Sequence, residues 1–193
     1  MNISVDISNV VLKTDRLTLC RWRESDLADF YEYAKVDGVG QMAGWSPHKD
    51  LDESRKILSL FIDEKKTFAI EYNGKAIGSV GVEKYKEAQF PQLDNVKCRE
   101  LGYVLNKDYW GMGIMPEAVS RIIDYLFEST DADAVLCGHF LWNKQSRRVQ
   151  EKCGFEYLAT GPYITTFGKE ETEKMNILTR EKWENPKNRA DNK

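Results

Sequence analysis

The segment 110–115 carries the residues best suited to chemistry in this chain. It reads Trp110, Gly111, Met112, Gly113, Ile114 and Met115, and it lies between a predicted strand and a predicted helix. Glycines at such a turn let backbone N–H groups face a ligand, and the start of the following helix adds about half a positive charge. Pro116 favours a helix start, because a proline at the first position loses no hydrogen bond. The segment therefore favours a phosphate or pyrophosphate ligand, although an ordinary turn between a strand and a helix also contains such glycines.

Three kinds of phosphate-binding loop compete for this segment. A Walker loop needs a Gly-Lys pair followed by Ser or Thr, and the sequence contains no such run after a suitably spaced glycine. A Rossmann fingerprint needs a third glycine where Pro116 stands, and its strand comes early in the chain rather than late. The third kind is a loop for the pyrophosphate of coenzyme A (CoA), and it fits the other blocks of the sequence as well.

The elements that must position this loop alternate between strand and helix patterns. Strand patterns cover 16–22, 68–72, 76–82, 99–105, 134–141, 155–160 and 174–179. Helical spacing follows Ser25, follows Asp50 or Asp52, and covers 117–128 and 144–152, the last ended by Gly154. Asn73 and Gly74 between two strand patterns indicate a type I′ hairpin turn, whose central residues both need positive φ. The sequence predicts a mixed α/β domain with a largely hairpin-built first half.

Length and charge argue against several other classes of protein. The 193 residues fit one domain, and a net charge of −3 with an isoelectric point near 5.6 argues against a nucleic-acid binder, whose domain is usually strongly basic. Short apolar runs predict no membrane-spanning helix, which needs about 20 apolar residues. The first ten residues have neither a basic cluster nor an apolar centre, so no secretory signal is expected and the protein is placed in the cytoplasm.

The four cysteines are Cys20, Cys98, Cys137 and Cys153. They are too widely spaced to read as zinc ligands, so no metal is expected, and they are interpreted as reduced, mostly buried thiols. A nucleophilic pair of Cys137 with His139 would need a third orienting group that the sequence does not reveal.

Several blocks of the sequence resemble the GNAT acetyltransferases, most of all the branch that includes the ribosomal-protein N-terminal acetyltransferases. The blocks are 100–103 (ELGY), 109–118 (YWGMGIMPEA) and 143–155 (NKQSRRVQEKCGF), and the family's R/Q-x-x-G-x-G/A loop falls on 110–115. The opening 12–19 (LKTDRLTL), the loop 44–48 (GWSPH) and the ending 178–183 (LTREKW) resemble the same branch. Each motif is loose, but their order and spacing together make chance an unsatisfactory explanation.

The resemblance implies an α/β GNAT fold, with a central, mixed but mostly antiparallel sheet, helices on both faces, and strands splayed between the fourth and the fifth. It implies a single domain over 10–183, followed by a polar tail at 184–193. It further implies an enzyme that transfers an acetyl group from acetyl-CoA directly to a primary amine of a protein N-terminus or a small molecule, without a metal. Because related proteins often pair, a homodimer is also expected.

The family's cofactor-binding positions fall on Tyr103, Val104, Leu105, Trp110, Gly111, Met112, Gly113, Ile114, Met115, Asn143 and Ser146. By the resemblance, Ser146 is the candidate that supports the leaving thiolate, and Asn143 holds the pantetheine arm. Ser146 is equally well explained as a capping hydroxyl of a helix. Arg147 and Arg148 are candidates for the 3′-phosphate of the adenosine, or solvated residues on a short helix.

A protonated amine cannot attack a thioester. Freeing a lysine-like amine at pH 7 costs about 4.6 kcal/mol and freeing an α-amino group about 1.4 kcal/mol, so a base is useful. Glu100, on the strand that leads into the loop, is the candidate base; the alternatives are that it is a solvated strand residue or a partner for Arg99. Trp45 and His48 are candidates for the acceptor site, with His48 as a second-choice base and Trp45 alternatively a lid packed on the core.

The chain departs from the family's pattern at three positions. Met115 stands where the loop usually has Gly or Ala, Met112 where a basic residue is common, and Gln150 where many members of the superfamily carry a tyrosine that acts as the acid. These departures keep open a CoA-binding regulatory module without turnover. A nucleotide-dependent α/β enzyme is a more distant alternative.

Overall fold

One eight-stranded sheet organises the chain. The structure is a computed structural model that describes residues 1–185. The strands are β1 (Leu12–Lys13), β2 (Leu17–Arg21), β3 (Thr67–Tyr72), β4 (Lys75–Glu83), β5 (Cys98–Leu105), β6 (Ala134–Phe140), β7 (Glu156–Ile164) and β8 (Glu170–Thr179). The helices are α1 (Leu27–Ala34), α2 (Leu51–Glu64), α3 (Ile114–Ser129), α4 (Lys144–Lys152) and α5 (Arg180–Glu184). The strand order is β1-β2-β3-β4-β5-β6-β8-β7, and every neighbouring pair is antiparallel except β5 and β6.

The parallel pair is the feature that creates the site. β5 and β6 are paired only over 98–100 and 134–136, although β5 continues to Leu105 and β6 to Phe140. Beyond residue 100, β5 keeps its pairing with β4 alone among the described strands. The two strands therefore separate and leave a gap in the sheet. The splay predicted between the fourth and fifth strands lies here, between β5 and β6 once the short edge strand β1 is counted.

Helices cover both faces of the sheet, as the resemblance implies. On one face, α1 and α2 bury an aromatic cluster that includes Trp22, Phe30 and Tyr33. On the other face, the apolar side of α3 packs on the sheet through Val119, Ile122 and Leu126, all fully buried. The mixed α/β fold class is confirmed.

The β3–β4 hairpin forms as predicted. Asn73 has φ of +50° and Gly74 has φ of +78°, the positive values that a type I′ turn requires. Asp50 caps α2 by accepting a hydrogen bond from the backbone N–H of Glu53 at 2.8 Å, which decides between the two predicted caps. α4 occupies the predicted 144–152, and Gly154 follows it with φ of +82°.

Other boundaries were predicted wrongly. α3 begins at Ile114 rather than at 117, so Pro116 is its third residue and not its first. The first turn tolerates a proline because its N–H groups have no partner within the helix. β7 and β8 are longer than predicted because they extend each other as a hairpin, and β1 was not anticipated. The predicted tail starts at Glu184, the last residue of α5, and its part from 186 onward lies outside the described residues.

All four cysteines are free, and Cys20, Cys98 and Cys137 are buried. Burial raises the pKa of Cys137 well above its ordinary value, so this thiol is not poised as a nucleophile. Within residues 1–185, no helix is long and apolar enough to cross a membrane.

Candidate active site

Two cavities meet at the gap between β5 and β6. The loop cavity has a volume of about 350 Å³ and lies between segment 110–116, the end of β5 and α4. The acidic cavity has a volume of about 460 Å³ and lies on the α1–α2 side. Tyr103, Val104, Ser146 and Met42 line both cavities. A molecule that occupied both would pass through the gap beside Ser146.

The predicted phosphate loop forms one wall of the loop cavity. Gly111 has φ of +79° and Gly113 has φ of +73°, and Gly113 caps the start of α3. Only glycine adopts such left-handed angles without strain. The turn brings the first N–H groups of α3 toward the cavity, where they have no partner in the helix. Met115 is buried in the core, whereas Met112 is exposed, so the loop presents mainly its backbone to the cavity.

Side chains from the β1–β2 turn brace this loop. Arg16 donates from Nε to Glu117 Oε2 at 2.7 Å and from Nη1 to the carbonyl of Met112 at 3.0 Å, and the hydroxyl of Thr14 donates to Glu117 Oε1. Burial tends to raise the pKa of Glu117, but the hydrogen bonds from Thr14 and Arg16 outweigh it and lower that pKa. The first turn of α3 is thereby tied to the edge of the sheet.

The start of α4 forms the opposite wall. Asn143 caps the helix by accepting a hydrogen bond from the backbone N–H of Ser146 at 3.0 Å, and its Nδ2 donates to the carbonyl of Met42 at 3.1 Å. Both ends of this amide are thus engaged inside the protein. Arg148 and Lys152 line the loop cavity from the same helix, whereas Arg147 pairs with Glu151 at 3.3 Å.

The hydroxyl of Ser146 belongs to a polar network at the gap. Tyr103 Oη lies 2.9 Å from Ser146 Oγ, and Gln150 Nε2 donates to the same oxygen at 3.3 Å. Gln150 Nε2 also donates to the carbonyl of Gly138 at 2.9 Å, and its Oε1 lies 3.0 Å from His139 Nδ1. Burial raises the pKa of Tyr103 far above its ordinary value, so the phenol stays protonated. Gln150 therefore orients Ser146. Although Gln150 stands where many members of the superfamily carry a tyrosine, the site does contain a tyrosine, Tyr103 on β5.

Three glycines form the floor of the acidic cavity. They are Gly81 on β4, Gly102 on β5 and Gly138 on β6. Gly81 and Gly102 are register partners, and a Cβ added at Gly102 would meet no atom within 4 Å. The space above Gly102 is open, and it is the part of the cavity that adjoins the gap.

Three carboxylates converge over this floor. Glu100 stands on β5, Glu83 is its register partner on β4, and Glu173 reaches in from β8. Burial, then the charge of Glu173 and then that of Glu83 raise the pKa of Glu100 to about 7. Lys66 pairs with Glu83 at 2.5 Å. Glu100 is therefore a carboxyl group that titrates near neutral pH, as a general base should.

Both predicted acceptor-site residues line the acidic cavity. The ring of Trp45 covers Gly40, where any Cβ would collide with the indole, and its centroid lies 5.1 Å from that of His48. His48 Nδ1 lies 2.7 Å from Ser54 Oγ, and burial lowers the pKa of His48, so its ring is neutral near pH 7. Phe30 and Phe61 complete the aromatic wall.

Sequence reasoning missed Glu83, Glu173 and Thr67. A register drawn from the Asn-Gly hairpin places Glu83 at the end of β4, but its pairing with Glu100 depends on how β5 docks. Glu173 lies in a charged stretch that resembles an exposed strand. In the part of the chain that the structure describes, no group of three His, Cys, Asp or Glu side chains could hold a metal ion.

Known proteins resemble this chain in sequence and in fold. A model of the acetyltransferase (GNAT) domain matches residues 16–156. N-acetyltransferase p20 of Bacillus licheniformis is 26% identical over 132 residues, which are 64% of this chain and 70% of that protein.

Two solved structures show the likeness of fold. An acetyltransferase (GNAT family) from Bacillus anthracis superposes with a TM-score of 0.77 at 19% identity, over 89% of this chain and 99% of that one. RimJ of Mycobacterium smegmatis, solved in complex with CoA-disulfide, superposes with a TM-score of 0.71 at 17% identity, over 88% of this chain and 84% of that one. At these identities the superpositions establish the fold.

Proposed function

The chain belongs to the GNAT acetyltransferase family, and on that basis we propose how its two cavities divide one reaction. It is an acyltransferase that uses acetyl-CoA. We propose that acetyl-CoA occupies the loop cavity and that a primary amine, of a protein N-terminus or a small molecule, enters the acidic cavity. The two would meet at the gap beside Ser146.

The loop cavity suits CoA in charge and in backbone geometry. The free N–H groups at the start of α3 and the glycines before it suit a pyrophosphate. Arg148 and Lys152 supply positive charge, and no carboxylate stands among the described residues that line this cavity. On the side facing the gap, Tyr103, Val104 and Leu105 have backbone groups unpaired with β6, which suits the peptide-like pantetheine arm. The cofactor supplies the activated acetyl group as a thioester.

Glu100 is the base in this proposal. It lines the acidic cavity beside the gap, and its pKa of about 7 is close to that of an α-amino group, about 8. A proton transfer between groups so matched costs about 1.4 kcal/mol per unit of pKa difference, which is much less than deprotonating a lysine-like amine without help. Glu100 takes the proton directly or through a water molecule, and the amine then attacks the thioester carbonyl.

Ser146 supports the leaving group in this proposal. Its hydroxyl lies at the junction of the cavities, and Tyr103 and Gln150 contact its oxygen at 2.9 and 3.3 Å. The single phenol proton of Tyr103 can go either to this oxygen or to the carbonyl of Ser146, 3.2 Å away. When it goes to the hydroxyl oxygen, together with the N–H of Gln150, the serine proton is free to point toward the sulfur. A thiolate with a pKa near 8.5 needs only such modest help.

The position of Glu100, half-buried beside two further carboxylates in the acidic cavity, is the observation that carries the proposal. The experiment mixes the protein with acetyl-CoA and a panel of primary amines and measures thiol release. Thiol release that depends on the amine supports the enzyme. CoA binding without thiol release on any amine would favour the alternative, a CoA-binding module without turnover.

We further propose that the protein acts in the cytoplasm as a homodimer, with residues 10–183 as its single domain. The edge strand β7 supports pairing, because Tyr157 and Ile164 are exposed on it. Sedimentation at tens of micromolar should show a dimer, and a monomer at that concentration would remove this part of the proposal.

A further inference from the structure

The acidic cavity holds more negative charge than one reacting amine requires. We propose that the acceptor is a small dicationic amine, in which a primary amine faces Glu100 while a second ammonium group on the same carbon chain is held by Glu173. This inference rests on the proposed function, because it describes the acceptor of that same reaction.

The side chains that line the cavity carry unbalanced charge, although Lys86 and Arg99 stand near it. Glu83, Glu100 and Glu173 line it, and none of its described lining residues is a lysine or an arginine. Lys66 pairs with Glu83 from outside. The carboxylate of Glu173 has neither a hydrogen bond nor an ion pair with any other residue in 1–185, although Lys86 partly offsets the effect of burial that raises its pKa. A half-buried carboxylate without a partner is unfavourable unless a ligand supplies the cation.

The backbone holds Glu173 over the cavity floor. Its Oε1 occupies the space above Gly138 so closely that a Cβ on that glycine would collide with it. Gly138 therefore leaves room for a carboxylate that reaches over from the neighbouring strand, β8. Glu173 is turned inward, and after burial its charge is the largest cause that raises the pKa of Glu100.

An unpartnered hydroxyl is an independent sign of a polar ligand. Thr67 lines the cavity, is only 3% exposed, and its Oγ1 has no hydrogen-bond partner within the described chain. Buried hydroxyl groups are rarely left unpaired, because the lost hydrogen bond costs about 1–3 kcal/mol. Thr67 is the register partner of Gly81 on β4, so its hydroxyl lies on the side of the cavity that holds Glu83 and Glu100. An N–H group of the reacting amine can donate to this oxygen.

The walls fit the carbon chain of such an acceptor. Trp45, Phe61 and Tyr163 line the same cavity as the carboxylates and present aromatic surface to it. Aromatic faces contact methylene groups favourably and attract ammonium groups. A metal ion does not account for the three carboxylates, because no set of three such side chains in the described part of the chain is arranged to ligate one.

The test measures binding without relying on turnover. Titration calorimetry at low ionic strength compares 1,5-diaminopentane with 1-aminopentane, each added to the full chain saturated with CoA. We expect the diamine to bind at least tenfold more tightly. In Glu173→Gln the ratio of the monoamine Kd to the diamine Kd should fall to about two or less. Glu170→Gln removes the same charge from an exposed position on the same strand and should keep the wild-type ratio.

A second variant tests the hydroxyl. Thr67→Val has nearly the same shape, and removing an unpaired buried hydroxyl should leave the melting temperature equal or higher. It should weaken binding of the diamine by about threefold to tenfold. If diamine affinity is unchanged in a folded Thr67→Val protein, Thr67 contacts no acceptor group, and the independent support for the site is lost.

Thiol release on the same amines separates this inference from the proposed function. Diamine binding that depends on Glu173, without thiol release, would uphold the dicationic site and overturn the proposed function. Acetylation of monoamines or of peptide N-termini with no preference for the diamine would uphold the proposed function and overturn the dicationic site. Equal binding of the two amines in the wild type, or a Glu173→Gln ratio equal to that of the wild type, overturns the inference.

Discussion

The loop cavity and the acidic cavity share a boundary at Ser146, yet they are opposite in charge and in construction. Among their described lining residues, the loop cavity has the cations Arg148 and Lys152 and no carboxylate, whereas the acidic cavity has three carboxylates and neither lysine nor arginine. The loop cavity presents mainly the backbone of a continuous segment, whereas the acidic cavity presents side chains from separate elements. In the proposed function, this difference would direct an anionic cofactor and a cationic acceptor to their own sides by charge.

The residues that the two cavities share carry no charge. Tyr103 and Ser146 line both cavities and are neutral hydroxyl groups. The proposed chemistry takes place at this neutral boundary, where the charges of the two molecules do not have to be brought together. Each side of the comparison can be altered separately.

The largest effect is expected on the acidic side. Glu100→Gln should lower the rate by about 10²-fold at pH 7, within the usual contribution of a general base, while CoA affinity stays unchanged. In the wild type, kcat/KM should rise with pH up to about 7, because Glu100 must lose its proton to act and burial has raised its pKa to about 7. The variant should recover much of its rate at high pH, where free amine forms without help.

Initial rates against pH, with one accepted amine at saturating acetyl-CoA, measure this. A Glu100→Gln enzyme with the wild-type rate and profile would exclude Glu100 as the base. His48, which lines the same cavity, would then be the next candidate.

The matching change on the loop side should act on binding. Gly113→Val places a side chain where N–H groups approach the pyrophosphate and should weaken CoA binding at least tenfold, or about 1.4 kcal/mol. Gly168→Val is the control, because Gly168 also has positive φ, +81°, but lies in the β7–β8 turn. Both variants should lose about 1–2 kcal/mol of stability through strain. Calorimetry with CoA that finds equal affinity in the two would remove the role of the loop.

A smaller effect is expected at the boundary itself. Ser146→Ala removes one hydrogen bond to developing charge on a good leaving group, so its rate should fall about tenfold, below the range typical of oxyanion sites. Unlike the defect of Glu100→Gln, this one should persist at high pH. If the rate of Ser146→Ala recovers at high pH, Ser146 helps the amine lose its proton and does not support the leaving group.

The last expected effect is on stability rather than on rate or binding. Because Glu100 has a pKa of about 7 in the folded chain and about 4.5 when exposed, the folded state binds more protons between these values. The unfolding free energy should therefore fall as pH rises through this window, by up to about 3 kcal/mol. Glu100→Gln should lack this slope and melt at a higher temperature than the wild type at pH 8. If the melting temperatures of the wild type and Glu100→Gln differ by the same amount at pH 8 as at pH 4.5, burial of Glu100 does not raise its pKa as described.

The two cavities also differ in what the sequence could predict. The loop cavity could be predicted, because its glycines, the start of α3 and the helix α4 are local sequence patterns. The resemblance supplied the order of these patterns. The predicted hairpin likewise depended only on Asn73 and Gly74. Even here the start of α3 was misplaced, since the spacing of apolar residues does not reveal that the first turn begins at Gly113.

Most of the acidic cavity could not be predicted from the sequence, because it depends on contacts between strands that are distant along the chain. Glu100 could be proposed from its place before the loop, but the cause of its raised pKa could not. That cause is burial together with Glu173, which enters from a strand 73 positions away in the sequence. The sequence also does not reveal that Gly102 and Gly138 form the floor of a cavity, because a glycine in a strand predicts only weak pairing.

The bracing of the loop by Thr14 and Arg16 has a thermodynamic consequence for the far edge of the sheet. β1 has only two residues, so this edge is expected to open readily. Because coupling is reciprocal, a cofactor that favours the braced loop also favours the closed edge. Deuterium uptake by backbone amides at 12–19 should therefore slow when CoA binds, while uptake at β7, on the opposite edge, changes less. The amino-terminal turn would then report cofactor occupancy from outside the cavity.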